Sequence, residues 1–216
     1  MNKDDIATAI ADERTALADL FDSLTPEQLA TWSLCAKWTV KDVAAHLTTM
    51  FNVSIASMMI RIAKNRFSAA KAFEQVTIEL AARPIEQITA QLRENASNTK
   101  HPPTAPIAPL VDLIVHAQDV RRPLGIPRYV PFERVSAAMD FVTGGRATGF
   151  VPAARVRGFR FQATDGDGVW GKGQLIHGPA LSLLLGAMGR GVAFVELGGA
   201  VDVLSARLES KVPRIS

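Results

Sequence analysis

The stretch Pro109-LVDLIVHAQDV-Arg121 decides how this chain is read. Between Leu110 and Val120 its only polar residues are Asp112, His116, Gln118 and Asp119. At about 100° per residue of an α-helix, Asp112, His116 and Asp119 fall within an arc of roughly 60°. Two carboxylates and an imidazole on one narrow stripe of an apolar helix read in two ways. They form the thin solvent-facing edge of an amphipathic helix, or they are the inward-facing half of a metal site that takes a further ligand from a second helix. The candidate for that ligand is His46, in Trp38-TVKDVAAHL-Thr48, beside the apolar positions Val43, Leu47 and Met50. The alternative for His46 is a core histidine satisfied by its neighbours.

Helical patterning extends outward from these two segments. Ile6, Ile10, Leu17, Leu20, Phe21 and Leu24 recur at helical spacing and predict an amphipathic helix over roughly residues 3–23. Thr25-Pro26-Glu27-Gln28 carries an N-cap, a proline at the first helical position and Gln at the third, the start signals of a short helix. Thr39 caps an expected long helix from about Val40 to Asn65, with Asp42 near its positive end. Residues 68–82 and 84–97 continue the pattern, Pro84 marking a fresh start. Lys100-HPPTAPIAP-Leu110 is an extended connection into the helix of 109–122, which Pro123 and Gly125 stop. A further helix is expected from about Pro131 to Thr143, and Gly144-GRATG ends it and opens an interdomain link.

The character of the chain changes near residue 150. Arg155-VRGFRFQAT-Asp165 reads as a strand whose alternation slips at Gly158, as at a bulge. Asp165-Gly-Asp-Gly168 is a hairpin turn signal, followed by a second strand Val169–Ile176. Gly178-Pro179 introduces a helix to about Arg190, then a short strand Ala193–Glu196 and a last helix near 200–210. The expected class is α+β: an N-terminal helical bundle over residues 1–150 and a small α+β domain over 151–216.

Composition bounds the function. The 216 residues are 48% hydrophobic, enough for a sizeable core. Net charge is +3, and the 24 basic residues are scattered, which argues against nucleic acid as a partner. The densest apolar run, Ala180-LSLLLGAM-Gly189, falls far below the roughly 20 residues that span a membrane. Met1-NKDD is charged at once and lacks the apolar core of a signal peptide. The single Cys35 fits a reducing compartment, so a cytoplasmic protein with no membrane partner is expected. With no basic residue as a partner close by in the sequence, Cys35 itself reads as buried and inert. Arg155, Arg157 and Arg160 on one strand read as solvated, and His101, in the proline-rich connection, and His177, in a turn, are not preferred ligands. Nothing in the chain fixes an oligomeric state.

Asp112 and His116 have the i, i+4 spacing that presents two ligands to one point, and His46 would complete a three-donor set with an open fourth position, the arrangement of a catalytic zinc site. Asp119, one turn on, would orient His116 or an incoming ligand. Trp38-TVKDVAAHL, Val111-DLIVHAQDVRRPLG and Gly178-PALSLLLGAMGR together resemble the mycothiol-dependent maleylpyruvate isomerase family. That family lies within the metal-binding four-helix bundles that include the DinB and YfiT-like proteins. The resemblance spans nearly the whole chain.

It implies that His46, Asp112 and His116 ligate zinc. The family more often has Glu where Asp112 stands. Asp is one methylene shorter, so the helix approaches closer, or the ligand acts through water, or it is lost. The Gly-Arg after the last motif helix is Gly189-Arg190, and Arg190 is the candidate for gripping a substrate carboxylate; its other reading is a cation at a helix C-terminus. The implied function is a metal-dependent enzyme whose cofactor is a low-molecular-weight thiol, mycothiol, acting on a small electrophilic substrate by isomerisation or thiol transfer. The alternative is a non-catalytic binding or regulatory member with a weakened metal site.

Overall fold

The computed structural model describes residues 1–99, 101, 105–145, 147 and 151–209. Two compact units emerge, one from residues within 2–101 and 116–128, the other from residues within 102–115 and 129–216. The helix α8 (Ala108–Arg121) contributes to both.

The first unit is helical, and local chemistry sets its helix starts. In α1 (Lys3–Ser23), the Asn2 side chain accepts from the Asp5 amide at 2.9 Å and the Asp5 carboxylate accepts from the Asn2 amide at 2.8 Å. Such a reciprocal box satisfies two donors that the helix itself leaves unpaired. Thr25 and Gln28 do the same for α2 (Pro26–Leu29), and Thr39 and Asp42 for α3 (Val40–Leu47). α6 (Ala69–Ala81) and α7 (Ile85–Glu94) follow, α7 opening at Pro84.

The expected long helix from Val40 to Asn65 is three pieces: α3, α4 (Thr49–Asn52) and α5 (Ile55–Lys64). At the first break Thr48 Oγ1 donates to the Ala45 carbonyl at 2.8 Å, a local bond that competes with the helix ladder. At the second, Val53 is extended and Ser54 caps α5 through the Ser57 amide.

Helix α1 packs against α7, and α3 packs against α6 and α7. Leu17, Phe21, Val43, Ile88 and Leu92 are buried there. Burial extends to charge. Arg14 donates from Nη1 to the Asn95, Ala96 and Asn98 carbonyls at 2.6–3.1 Å, where α7 ends. A helix C-terminus carries partial negative charge that complements the cation. Desolvation nonetheless lowers the Arg14 pKa to about 10.

The second unit joins part of α8 to α9 (Phe132–Thr143), α10 (Ala153–Val156), a four-stranded sheet, α11 (Ala180–Ala187) and α12 (Val201–Glu209). The strands β1 (Phe159–Ala163), β2 (Val169–Gly171), β3 (Gln174–Gly178) and β4 (Gly198–Gly199) lie in the order β2-β1-β3-β4. α11 covers the sheet and touches α9, burying Phe159, Phe161, Ile176, Leu183 and Leu184.

Here the structure departs from the sequence reading at several points. Arg155 lies in α10, and Gly158 (φ +82°) turns the chain from that helix into β1, so the slipped alternation is an element boundary rather than a bulge. Arg155, Arg157 and Arg160 therefore do not share a strand. The run Val169–Ile176 is two strands: β2 pairs antiparallel with β1, and β3 pairs parallel with it on the other side. The crossing between them passes over the start of β1 at Gly173 (φ +129°), where a Cβ would overlap the Gly158 carbonyl. His177 lies in β3, exposed, rather than in a turn.

Ala193–Glu196 is not a strand but part of a 3₁₀ turn, Gly191–Glu196. Ala193 alone is fully buried in it, while Val192 and Val195 are exposed, a pattern unlike the alternation of a strand. The strand that pairs antiparallel with β3 is instead β4. In the expected proline-rich connection, residues 100 and 102–104 lie outside the described residues, as do 146 and 148–150 of the expected link. Among the described residues no helix is long and apolar enough to cross a membrane.

Candidate metal centre

The site is built from α3, α8 and the loop between α2 and α3. That loop is a tight hairpin. Trp32 and Thr39 form an antiparallel bridge, the Ser33 amide donates to the Trp38 carbonyl at 2.9 Å, and the Val40 amide donates to the Thr31 carbonyl at 2.9 Å. The Cys35 amide donates to Ser33 Oγ at 3.1 Å, and Lys37 takes φ +73° to close the turn. The Leu34 amide donates to the Asp119 carbonyl at 3.0 Å, which fixes the hairpin against α8.

His116 is the centre of the arrangement. Its Nδ1 lies 2.9 Å from Asp119 Oδ2, and Asp119 is wholly removed from solvent. A carboxylate on one ring nitrogen makes that nitrogen the N–H donor, which leaves the lone pair on Nε2. From α3, the His46 ring lies 4.9 Å from the His116 ring, centre to centre, at an interplanar angle of 70°. Trp38 lies 4.7 Å from His46, and Phe73 of α6 lies 6.2 Å from it. The first reading of the stripe, a solvent-facing edge, therefore fails for His116 and Asp119, which are both buried.

His46, Asp112 and His116 each offer a ligand atom, and these atoms all lie within 4.8 Å of one another. Two imidazoles and a carboxylate suit a borderline divalent ion such as zinc, and bonds of about 2.0–2.2 Å are within reach of small rotamer adjustments from that spacing. The donor set fits the group. Asp112 is half-buried, in keeping with an entry side for solvent or a ligand.

Cys35 corrects the sequence reading. It is half-buried rather than buried, and its thiol donates to Asp119 Oδ2 at 3.0 Å with His116 Nδ1 at 3.4 Å. Cys35, His116 and Asp119 form a second convergent group of donor atoms. The signal in the sequence was position: Cys35 stands three residues before Trp38, in the turn that delivers the capping Thr39 to α3.

Arg190 belongs to the second unit. It follows Gly189 (φ +90°), its amide donates to the Leu185 carbonyl at 2.8 Å and its Nη1 to the Met188 carbonyl at 3.0 Å. Its helix-terminal role is thus present. The Arg155 guanidinium packs against Gly189, and its pKa is lowered by burial and then by the neighbouring Arg190 cation. A cavity of about 570 Å³ in the same unit is lined by Val142, Val151, Val156, Phe159, Arg157 and Lys172 among others, and by none of the candidate site residues.

No curated protein and no solved structure is matched by the chain. The family described as mycothiol maleylpyruvate isomerase N-terminal domain matches residues 10–121. The matched span is more than half of the sequence, and it contains Cys35, His46, Asp112, His116 and Asp119. This chain belongs to the mycothiol maleylpyruvate isomerase N-terminal domain family.

Proposed function

We propose that the protein is a zinc-dependent enzyme that employs a low-molecular-weight thiol, mycothiol, to isomerise a small electrophilic substrate or to transfer the thiol to it. The observation that carries this reading is the convergence of His46, Asp112 and His116 within 4.8 Å. His46, Asp112 and His116 would hold the ion. When bound through three protein donors, zinc would favour the thiolate of a small thiol, its nucleophilic form, at neutral pH.

The chain's own residues have separate tasks in this proposal. Asp119 keeps the His116 proton on Nδ1 and so presents Nε2, and through that ring it would orient the site for an incoming thiol. Trp38 and Phe73 shield His46 from bulk water. Arg190, with Arg155 beside it, is assigned to a substrate carboxylate, for which two adjacent guanidinium groups are suited. The metal-holding part then lies within residues 1–150 and the carboxylate-gripping part within 151–216. A cytoplasmic location, where small thiols stay reduced, belongs to the same reading.

The test is thiol-dependent turnover of maleylpyruvate and of a panel of epoxide and haloalkane electrophiles by wild type and His116→Ala, each with and without added zinc. Turnover in the wild type that is lost in the variant is expected. Equal turnover in both would remove the metalloenzyme reading and leave a non-catalytic binding or regulatory protein.

A further inference from the structure

The Nδ1 edge of the His116 ring faces two donor groups. Toward Nδ1, the separations are 2.9 Å to Asp119 Oδ2 and 3.4 Å to Cys35 Sγ, with 3.0 Å between Cys35 Sγ and the same Asp119 oxygen. Around a tetrahedral ion with bonds of about 2.0 Å to nitrogen and oxygen and about 2.3 Å to sulfur, donors stand roughly 3.3–3.5 Å apart. The Cys35–His116–Asp119 group is within a few tenths of an ångström of that spacing. It also brings a sulfur ligand, which the His46–Asp112–His116 group lacks.

We propose that Cys35, His116 through Nδ1, and Asp119 form a second cation position, selective for thiophilic divalent ions such as cadmium, that alternates with the His46–Asp112–His116 position. Thiolate is the softest donor of the cluster, and soft ions follow it. Alternation follows from the imidazole, since a neutral ring has one N–H and one lone pair and serves one position at a time. For the ion to bind, the Cys35 thiol releases its proton to solvent and the ring proton moves from Nδ1 to Nε2. A divalent charge then neutralises the Cys35 thiolate and the Asp119 carboxylate, which suits a carboxylate that has no contact with water. Cys35, half-buried on its hairpin, leaves a way in.

This inference stands apart from the thiol-enzyme reading, and one experiment separates them. Cys35 is the sole cysteine, so any thiolate-to-metal charge-transfer absorption arises from it. Titration of the full chain with cadmium or cobalt(II) is expected to give such a band, saturating at one ion per chain. Cys35→Ser should abolish the band and His46→Ala should keep it. With cadmium at ten times its dissociation constant, alkylation of wild-type Cys35 should slow about tenfold.

Bound metal without a thiolate band in the wild type overturns the inference while leaving the thiol-enzyme reading intact. A band lost in a folded His46→Ala protein would place Cys35 and His46 on the same ion and also overturns it. Two ions per chain would overturn the alternation. A missing wild-type band overturns the inference even if a variant fails to fold.

Discussion

Around α3 and α8, buried polar side chains meet one another. Asp119 is shared by a thiol and an imidazole, and the His116 ring that it contacts has the His46 ring 4.9 Å away, centre to centre. In the α+β unit, Arg207 and Arg190 meet main-chain carbonyls. Arg207 donates from Nη1 to the carbonyls of Ala154, Arg155 and Arg157 and lies 4.2 Å over the Phe159 ring; Arg190 donates to the Met188 carbonyl. A guanidinium on carbonyls satisfies backbone acceptors and completes a helix end. Carboxylate, thiol and imidazole groups gathered together leave lone pairs convergent on a point. Burial of a polar group alone therefore does not mark a site. What marks it is whether its partners are side chains that can also act as ligands.

That contrast breaks most easily at His116. Its removal takes one donor from both convergent groups, and a share of the metal's binding free energy of several kcal/mol goes with it. His116→Ala should therefore weaken zinc binding by roughly 10²–10³-fold, read by competition with a chelator, with the helical circular-dichroism signal retained. Asp119→Asn keeps the backbone contact to Leu34 but removes the charge that orients the ring. It should cost about 10–100-fold in metal affinity by the same assay. A smaller loss would make Asp119 a packing residue.

Arg207→Ala sharpens the other side of the comparison. It uncovers three carbonyls and should lower stability to denaturant by ~1–2 kcal/mol while leaving zinc affinity unchanged. A change in zinc affinity there would blur the distinction between the two regions. The smallest effect is expected at Thr39→Ala, which removes the cap of α3. Unfolding should show a loss of ~1 kcal/mol, with zinc binding only slightly altered because His46 sits two turns further on.

Much of this was legible in the sequence because it rests on local chemistry. The box Thr39–Asp42, the proline starts of α2 and α7, and the stripe Asp112, His116, Asp119 each need only a few consecutive residues to be read. The pairing of His46 with His116 was only a candidate at that level, since helical spacing placed each beside apolar neighbours without saying which helices meet. What escaped depends on contacts distant in sequence. Glycine at 158 looks the same in a bulge as in a turn from helix to strand, and only the pairing of β1 with β3 tells them apart. Phe194 and its valine neighbours favour a strand by composition, yet the chain there coils because Ala193 alone turns inward. Cys35 escaped because its partners lie more than 80 residues away, brought together by the Leu34–Asp119 contact.

The claim that two helices deliver imidazoles to one ion is tested most directly at His46, which belongs to only one of the two donor groups. Zinc titration of wild type and His46→Ala against a chromophoric chelator should show about one zinc per wild-type chain and a loss of roughly 10²-fold or more in affinity in the variant. Equal zinc affinity in the two proteins would contradict the account, because the ion would then be held without α3.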